Sequence, residues 1–476
     1  MLKLSQRVTG TPRRVVGSRG VLVIVCAGVV LASLDLFIVN VALPQIARGF
    51  AGSSLSTLSW VLNGYAIVYA ALLVYFGRLA DRFPRNYAFL IGVAVFTMAS
   101  AACAASTSVT MLVAFRLVQA AGAALLTPTS LGLVLASTEP QRRGAAVRAW
   151  TAVGGISAAL GPVLGGLLVV ISWRWVFLVN VPVGVAAFVV GWIYLPRSEG
   201  HRGEFPDALG AILITGGVGA LTFGLVEWNS WRPVLVALTL AGAVVLLAIF
   251  VLHCLISRHP LVHPSLFRPR SFVGASFVSL FFSVSFAAML LSITLWEQDV
   301  WKWSALKSGL GIAPGPLMVP LLAFVVAGRL IARFGPGFVI AAGSFLFAAG
   351  VAWWAIAVGL QPNYVDGVLG GMVLTGVGVG LTLPTMMSTA SASLPSSSFA
   401  TGSAVINMIR QTGFALGVAL LIAVVGPPTA SRHQELTDFR RGWWISAAIS
   451  FACVIVALVL LPRTARHGDA LDARSS

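Results

Sequence analysis

The chain has 476 residues, of which 58% are hydrophobic and only 9% are charged, and its mean hydropathy is +0.94. Because ordinary soluble domains carry about 25% charged residues, this composition excludes a soluble protein and predicts one that crosses a membrane many times. The formal net charge of +17 does not indicate nucleic-acid binding, since the basic residues lie in short loops and form no patch between aromatic residues.

Fourteen apolar stretches are each long enough to cross a membrane as a helix, which takes about 20 residues. The predicted spans are 21–43, 57–76, 87–105, 109–131, 147–170, 175–195, 208–226, 233–256, 272–295, 306–327, 337–358, 366–389, 402–425 and 442–461. With the N-terminus inside, most of the 31 lysines and arginines fall in loops and tails on that side. The positive-inside rule therefore predicts that both termini are cytoplasmic.

A carboxylate interrupts the first predicted span. Asp35 lies in the apolar run 31–44, LASLDLFIVNVALP, with no basic residue close to it in sequence. A charged side chain at membrane depth costs about 2.5–3.5 kcal/mol on insertion scales, and such residues are usually functional. We interpret Asp35 as a proton-binding group. The alternative is a structural aspartate that is bonded to a neighbouring helix.

The loop between the second and third spans, GRLADRFPRN at 77–86, combines a glycine, an aspartate and three arginines. Gly77 is expected to let two helices approach closely. Asp81 is expected to pair with an arginine or to face a helix N-terminus, where negative charge is favoured, and so to latch one conformation. The alternative is a basic loop that only fixes topology, and it suits Arg82 and Arg85 better than Asp81.

Part of the chain repeats itself. GRLADRF at 77–83 returns as GRLIARF at 328–334, and LTPTS at 126–130 has a weaker echo in TLPTM at 382–386. Short matches of Gly, Ala and Leu arise easily by chance in this composition, but the longer match in two corresponding loops favours an internal duplication. In duplicated transporters the substrate site lies between the halves, near the bilayer midplane.

The fifth span contains a run of small residues, GPVLGG at 161–166. Gly161, Gly165 and Gly166 leave one helix face nearly bare, and Pro162 removes a backbone hydrogen bond and allows a bend. Two interpretations stay open from the residues alone. The run either makes a flexible or closely packed span that sets the direction of transport, or it is ordinary packing of small residues between helices.

Three acidic residues lie at predicted span ends: Glu297, Asp299 and Asp366. Each is able to attract a cationic substrate or to accept a proton. Glu297 and Asp299 are flanked by tryptophans in WEQDVWKW at 296–303, and an acid beside aromatic rings suits an organic cation. The alternative, which we favour from sequence, is that all three are solvated loop residues and that the tryptophans form an interfacial belt.

Several kinds of site are not indicated. The cysteines (Cys26, Cys103, Cys254 and Cys453) are scattered through apolar stretches without a CxxC pair, and the six histidines have no metal-ligand spacing. No GxxxxGK[ST] loop is present, so ATP is not the expected energy source. A membrane-embedded enzyme or scaffold would need a polar catalytic cluster or a soluble domain, and neither is found. We expect no catalytic residues and no metal.

Several stretches of the chain together resemble a known family. The loop 77–86 is similar to the signature loop of the major facilitator superfamily, and further stretches are similar to its fourteen-span drug:proton antiporters. These stretches are LDLFIVNVALP at 34–44, RLVQAAGAALLTP at 116–128, GGISAALGPVLGG at 154–166, WRWVFLVNVP at 173–182 and RQTGFALGVA at 410–419. The chain departs from the family pattern at Pro84, Asn86, Ala120 and Ala332.

The resemblance implies roles for particular residues. Arg116, deep in the fourth span, would take part in proton coupling, and 161–166 would be the antiporter motif. An arginine holds a nearby carboxylate charged, whereas burial favours its neutral form, so a site balanced between the two effects is able to bind and release a proton. We hypothesise that Asp35 and Arg116 are functionally coupled.

The resemblance also implies an all-α membrane protein with the major facilitator superfamily fold and 14 transmembrane helices. The expected division is a cytoplasmic tail (1–20), a six-helix bundle (21–195), two extra helices with flanking loops (196–271), a second six-helix bundle (272–461) and a cytoplasmic tail (462–476).

The expected function is a proton-coupled antiporter that exports hydrophobic or cationic drug-like compounds by alternating access. The alternative is a dedicated exporter of one self-made metabolite, such as an antibiotic, a lipid or a siderophore. We expect no cofactor, because the proton gradient drives transport. The expected partners are the lipid bilayer, small substrates and protons, with no nucleic acid. We expect a monomer in the bacterial inner membrane.

Overall fold

The computed structural model describes residues 18–50, 52–139, 142–196, 206–322, 326–394, 399–427 and 431–462, and these ranges contain helices and no strand. The helices in chain order are α1 (Ser18–Gly49), α2 (Leu55–Arg82), α3 (Arg85–Ala104), α4 (Val109–Ser137), α5 (Arg143–Ile171), α6 (Trp175–Leu178), α7 (Asn180–Tyr194), α8 (Ala208–Val226), α9 (Pro233–Ile256), α10 (Arg270–Leu295), α11 (Ala305–Ile312), α12 (Pro314–Leu321), α13 (Ala327–Phe334), α14 (Pro336–Ala357), α15 (Gly370–Ala392), α16 (Phe399–Val425) and α17 (Arg432–Leu460). A 3₁₀ turn spans Pro264–Phe267, and π-helical turns span Trp296–Val300 and Tyr364–Leu369.

Twelve helices within the described ranges are long and apolar enough to cross a membrane. The all-helical architecture is therefore confirmed. Helix α5 occupies the predicted fifth span, and α11 and α12 occupy most of the tenth, whereas α13 contains the second loop copy at 328–334. The count of fourteen spans is compatible with this arrangement and stays a prediction.

Prolines explain why two predicted spans are broken. The sixth span is divided between α6 and α7, and Pro182 cannot donate the helical hydrogen bond to the carbonyl of Leu178, the last residue of α6. The tenth span is divided at Ala313, where Pro314 begins α12. Other helices begin at polar caps. Ser54 and Ser108, for example, accept hydrogen bonds from backbone N–H groups three residues on.

The helices pack as two sets that touch along a central interface. In the first set α1 packs on α5, and α4 packs on α2 and α3; in the second set α10 packs on α16 and α17, and α14 packs on α15 and α17. The two sets meet where α2 contacts α16 and where α5 contacts α11 and α12. Helices α8 and α9 pack on each other, and α8 covers the outside of the α2–α16 contact.

Candidate functional site

Asp35 and Arg116 form an ion pair in the first set of helices. Arg116 Nη1 in α4 donates to Oδ2 of Asp35 in α1. Both side chains are completely buried. The structure therefore brings together the two residues that the sequence singled out for their cost in an apolar span.

Three neutral polar side chains complete the surroundings of the pair. Gln119 Nε2 and Asn180 Nδ2 both donate to Asp35 Oδ1, at 3.0 and 3.1 Å. Ser100 Oγ lies 3.2 Å from the same Gln119 nitrogen and 3.1 Å from the Asn180 nitrogen. Gln119 Oε1 in turn accepts a 2.8 Å hydrogen bond from Arg116 Nη1. The carboxylate is thus held by donors from α4 and α7, and the hydrogen bond from Arg116 is charge-assisted.

The guanidinium of Arg116 also reaches other helices. Its Nε donates to the backbone carbonyl of Val61 in α2 at 3.1 Å, and its Cζ lies 4.1 Å from the ring centroid of Tyr65. Its Nη2 is buried and has no hydrogen-bond partner among the described residues. One nitrogen of the arginine therefore holds the proton-binding candidate while another is left free.

A small cavity lies between the two sets of helices, and its lining includes Arg116, Asn40 and Asn63. Its volume is about 30 Å³, which is room for about two water molecules. Asn63 Oδ1 is buried and lacks a partner within the described part of the chain, as does Arg116 Nη2. Two of the lining residues therefore carry a polar atom with unused hydrogen-bonding capacity.

Three phenylalanines form the apolar wall of the cavity. Phe37 comes from the first set of helices, and Phe286 and Phe414 come from the second. Their ring centroids are 5.8 to 6.3 Å apart in pairs. Aromatic rings with a few polar groups are the usual lining of a small-molecule site, and this cavity has to widen from about 30 Å³ before it accommodates one.

The run 161–166 packs closely on two sides. A Cβ added to Gly161 would lie 2.7 Å from Phe37 Cβ, and one added to Gly165 would lie 2.8 Å from the carbonyl oxygen of Ile38 in α1. A Cβ added to Gly166 would lie 2.7 Å from the carbonyl oxygen of Ala305. In the other direction, a Cβ on Gly309 of α11 would lie 2.5 Å from the Pro162 oxygen.

The glycines of this run therefore bring α5 against α1 and α11 at one end of the bundle. We call this end the distal end and define it by residues 45–50, 169–174 and 299–305. A second contact between the two sets lies close to it, where the buried Gln298 donates from Nε2 to the Val41 carbonyl at 3.0 Å.

The loop 77–86 gives a mixed result. A Cβ on Gly77 would make an ordinary 3.6 Å contact with Pro128, so the expectation that glycine is needed there for close helix approach is wrong in this conformation. Arg85 packs against Gly132 of α4, and both Arg82 and Arg85 have partners. The side chain of Asp81 lies outside the described residues, so its expected role as a latch stays a prediction.

The three acidic candidates differ in their surroundings. Glu297 is completely buried, which overturns the expectation of a solvated residue. Its Oε2 accepts a 2.6 Å hydrogen bond from Ser308, and its Oε1 has no partner in the described ranges. Asp299 is half-exposed and lies 4.0 Å from Arg48. Asp366 is exposed, and within the described ranges its carboxylate accepts a hydrogen bond only from Asn363, so it fits the solvated interpretation.

Sequence reasoning missed several members of the site. Asn180, Phe37 and Phe414 stand out in the sequence only as parts of matching stretches. Ser100, Tyr65 and Phe286 do not stand out at all, because neutral polar and aromatic residues are frequent in membrane helices. A buried cluster of three or more potential metal ligands is absent from the described residues, and the four cysteines are free.

Comparison with known proteins gives one family. A sequence profile of the Major Facilitator Superfamily matches residues 25–418. The chain is 32% identical over 465 residues to a cephamycin export protein of Amycolatopsis lactamdurans, which covers 96% of this chain and 95% of that protein. It is 30% identical to the methylenomycin A resistance protein of Bacillus subtilis, with 95% and 96% covered.

Two other matches are less complete or more distant. A multidrug resistance protein B homolog of Mycobacterium tuberculosis is 32% identical, over 82% of this chain and 73% of that protein. The crystal structure of the POT family transporter PepTSo superposes with a TM-score of 0.67 over 95% of this chain and 98% of that chain. At 16% identity this second match shows a shared fold and no more.

Proposed function

Because the chain belongs to the Major Facilitator Superfamily, it is a membrane transporter and not an enzyme, and we propose that it is a proton-coupled antiporter that exports hydrophobic drug-like compounds. Members of this family generally need no cofactor. The observation that carries the proposal is the double role of Arg116, which pairs with the buried Asp35 and also lines the cavity between the two sets of helices.

This geometry links substrate and proton through one side chain. When Asp35 binds a proton, the Arg116 charge loses its counter-ion and stands unpaired next to the cavity. A buried unpaired charge is costly, so the protonated site draws water or another acceptor toward Arg116 and disfavours an apolar or cationic occupant. Because such coupling is reciprocal, an occupied cavity disfavours the protonated form. Opposed binding of this kind is what an antiporter requires.

The energy source follows from the membrane. Each proton that moves down a membrane potential contributes about 2.3 kcal/mol per 100 mV, which is enough for a useful substrate gradient. The packing of α5 against α1 and α11 supports a role for Gly161, Pro162, Gly165 and Gly166 in closing the distal end during alternating access. Glu297 is the second proton-binding candidate, because it is a buried carboxyl group close to this contact.

We also propose how the protein is arranged in the cell. Residues 21–195 and 272–461 form two six-helix bundles that rock against each other, and residues 196–271 supply two inserted helices. The basic loops support cytoplasmic termini. The bacterial sources of the relatives support the bacterial plasma membrane, and the site between the two bundles supports a monomer as the working unit.

A second candidate function is the dedicated export of one metabolite. Two relatives that match over at least 95% of both chains are named for a single antibiotic each, whereas the multidrug resistance homolog matches over a smaller share of its length. Export of one self-made compound would use the same Asp35–Arg116 pair and the same cavity, with a narrower fit to the aromatic wall.

The test is substrate-driven proton movement in inside-out vesicles. A panel of neutral and charged drug-like compounds is added to wild type, Asp35→Asn and the exposed control Asp366→Asn. Loss of the pH gradient is expected in wild type and in the control and not in Asp35→Asn. Loss in all three would move the proton site away from Asp35. If no compound acts on wild type, the dedicated exporter becomes the better account.

A further inference from the structure

Helix α16 carries an arginine that the proton site does not use. Arg410 lies four residues before Phe414, and Phe414 and Val418 line the cavity. Residues spaced by four lie on one helix face, so the Cα of Arg410 lies about 6 Å along the helix from that of Phe414. Arg410 is not itself a lining residue, and it lies one helical turn beyond the lined part of the cavity on the same face of α16.

The facing helix supports this placement. Leu62 and Ala66 of α2 line the cavity, and Tyr69 follows on the same face. Tyr69 is buried, and its hydroxyl lies 3.0 Å from Thr127 Oγ1. Because α2 packs on α16, Arg410 lies on the face of α16 that meets α2, where it is partly exposed.

Arg410 has no counter-ion. Its Nε is buried and without a hydrogen-bond partner, and no described carboxylate lies within ion-pair distance of it. The neighbouring Gln411 is buried, and its Oε1 is also unpartnered. A positive charge at this depth costs several kcal/mol when nothing compensates it, which is why unpaired intramembrane charges usually mark ligand paths.

No carboxylate belongs to the cavity lining described here, and Arg116, its one charged residue, is paired with Asp35. Arg410, one turn beyond the lining, has a buried Nε without a partner. An organic cation would therefore meet an arginine without a counter-ion and no free acid. A compound with an anionic group would meet a ready counter-ion next to an aromatic surface.

We propose that Arg410 is the counter-ion for an anionic group, such as a carboxylate or sulfonate, on a substrate whose apolar body packs among Phe37, Phe286 and Phe414. This inference deepens the proposed function, because it takes the cavity to be the transport site. Neutralised at Arg410, the substrate presents an apolar body to the cavity that Arg116 lines. Protonation of Asp35 therefore disfavours binding of this substrate in the same way as it disfavours binding of a neutral compound.

The experiment measures binding, so that it does not depend on transport. Three matched probes (2-naphthoate, its methyl ester and 2-naphthylmethylammonium) are dialysed to equilibrium against the full-length protein in lipid nanodiscs, with empty nanodiscs subtracted. The variants are Arg410→Gln, Arg410→Lys and the control Arg329→Gln, whose arginine is exposed in α13. Binding of the uncharged ester reports that each variant is folded.

Wild type is expected to bind naphthoate more tightly than the ammonium probe. Arg410→Gln is expected to raise the Kd for naphthoate about ten- to a hundredfold, the usual value of a hydrogen bond to a charged group, and to leave the Kd for the ester unchanged. Arg410→Lys should keep part of the preference for naphthoate over the ammonium probe, and Arg329→Gln should keep all of it.

Three results would overturn the inference: no saturable binding of naphthoate to wild type, tighter binding of the ammonium probe, or an Arg410→Gln variant that binds naphthoate as wild type does. If Arg410→Gln does not fold, two other measurements test the inference. They are the preference of wild type for naphthoate over the ammonium probe and the size of that preference in Arg410→Lys. Arg410-dependent naphthoate binding without any substrate-driven proton movement would refute the antiporter and leave this inference intact.

Discussion

Asn180 in α7 donates a 3.1 Å hydrogen bond to Asp35 in α1, although the two residues are 145 positions apart in the chain. The same oxygen accepts from Gln119, and the other oxygen accepts from Arg116. The carboxylate is therefore fixed by two helices other than its own. The ion pair joins α1 to α4 within the first set of helices, and each of its two buried charges is compensated by the other.

The first prediction concerns this mutual dependence. Asp35→Asn or Arg116→Met alone should lower the unfolding free energy by about 3–5 kcal/mol, because each leaves a buried group without its partner. The double variant should lose less than the sum of the two single losses. Thermal unfolding of the purified protein measures this, with the exposed Asp366→Asn as control. Strict additivity would mean that the two charges do not support each other.

A second prediction addresses the distal end. Gly166→Val should keep α5 and α11 apart, because even a Cβ at this position would lie 2.7 Å from the Ala305 carbonyl oxygen. Spin labels at Val170 and Lys302, which line one groove, should move apart in the variant. The matched control is Gly219→Ala in α8, where an added Cβ meets no atom within 4 Å. An unchanged label distance in Gly166→Val would mean that this contact does not hold the distal end closed.

The buried glutamate gives a third prediction. Glu297→Gln keeps the shape of the side chain and its contact with Ser308 but removes the titratable group. We expect substrate-driven proton movement to slow severalfold, whereas Asp366→Asn, which changes an exposed acid with local partners, should leave it unchanged. Proton flux in vesicles at matched protein density is the measurement. Equal rates in wild type and Glu297→Gln would assign Glu297 a purely structural role.

A fourth prediction concerns a titratable cluster next to the inserted helices. Burial opposes ionisation of Asp207, but the N–H of Gly210, the His253 ring and the N–H of Leu261 stabilise its carboxylate, so the pKa of Asp207 is lowered from its ordinary value of 3.8. Because the pKa of Asp207 is lower in the folded protein than in the unfolded chain, its ionised carboxylate stabilises the folded state at pH values above the ordinary pKa. This stabilisation is lost as the pH falls through the pKa of the folded state.

Asp207→Asn should therefore lower the Tm at pH 7, and the difference from wild type should shrink below about pH 4. The comparison is a series of Tm values over that range. The control is Glu139→Gln, which changes an exposed acid beside Arg142 and should have little effect at any pH. A difference for Asp207→Asn that does not change with pH would contradict the ionic explanation.

The sequence predicted the parts of the structure that carry a large free-energy cost. Asp35 and Arg116 are expensive in apolar helices, so each was identifiable alone, and the crowded run 161–166 was identifiable as a packing face. The cavity was not identifiable. Phe37, Phe286 and Phe414 come from distant segments, and a phenylalanine in a membrane helix has no pattern that distinguishes a cavity wall from a lipid-facing surface.

Glu297 shows why exposure was misjudged at a span end. The residue lies two positions after Leu295, the last residue of α10, where a helix normally meets the interface. Here the chain continues as a π-helical turn, and the N–H of Trp303 bonds back to the Glu297 carbonyl at 2.9 Å while Ser308 covers the carboxyl group. Glu297 is therefore buried by residues that follow it in the sequence. The hydropathy of a single span contains no information about such contacts.

The last prediction tests whether Arg410 serves binding or stability. A structural arginine would have partners, and replacing it would destabilise the fold, whereas the Nε of Arg410 is buried without one. Replacing a buried unpaired charge by an apolar side chain of similar length removes its desolvation cost, so Arg410→Met should raise the unfolding free energy by about 1–3 kcal/mol. Thermal unfolding without added ligand measures the change, and Arg329→Met is the exposed control. With saturating 2-naphthoate, wild type should become more stable to heat than Arg410→Met. The reason is that only wild type gains binding free energy from the interaction of the arginine with the bound carboxylate. A lower Tm for Arg410→Met without ligand would mean that the arginine supports the α2–α16 contact itself.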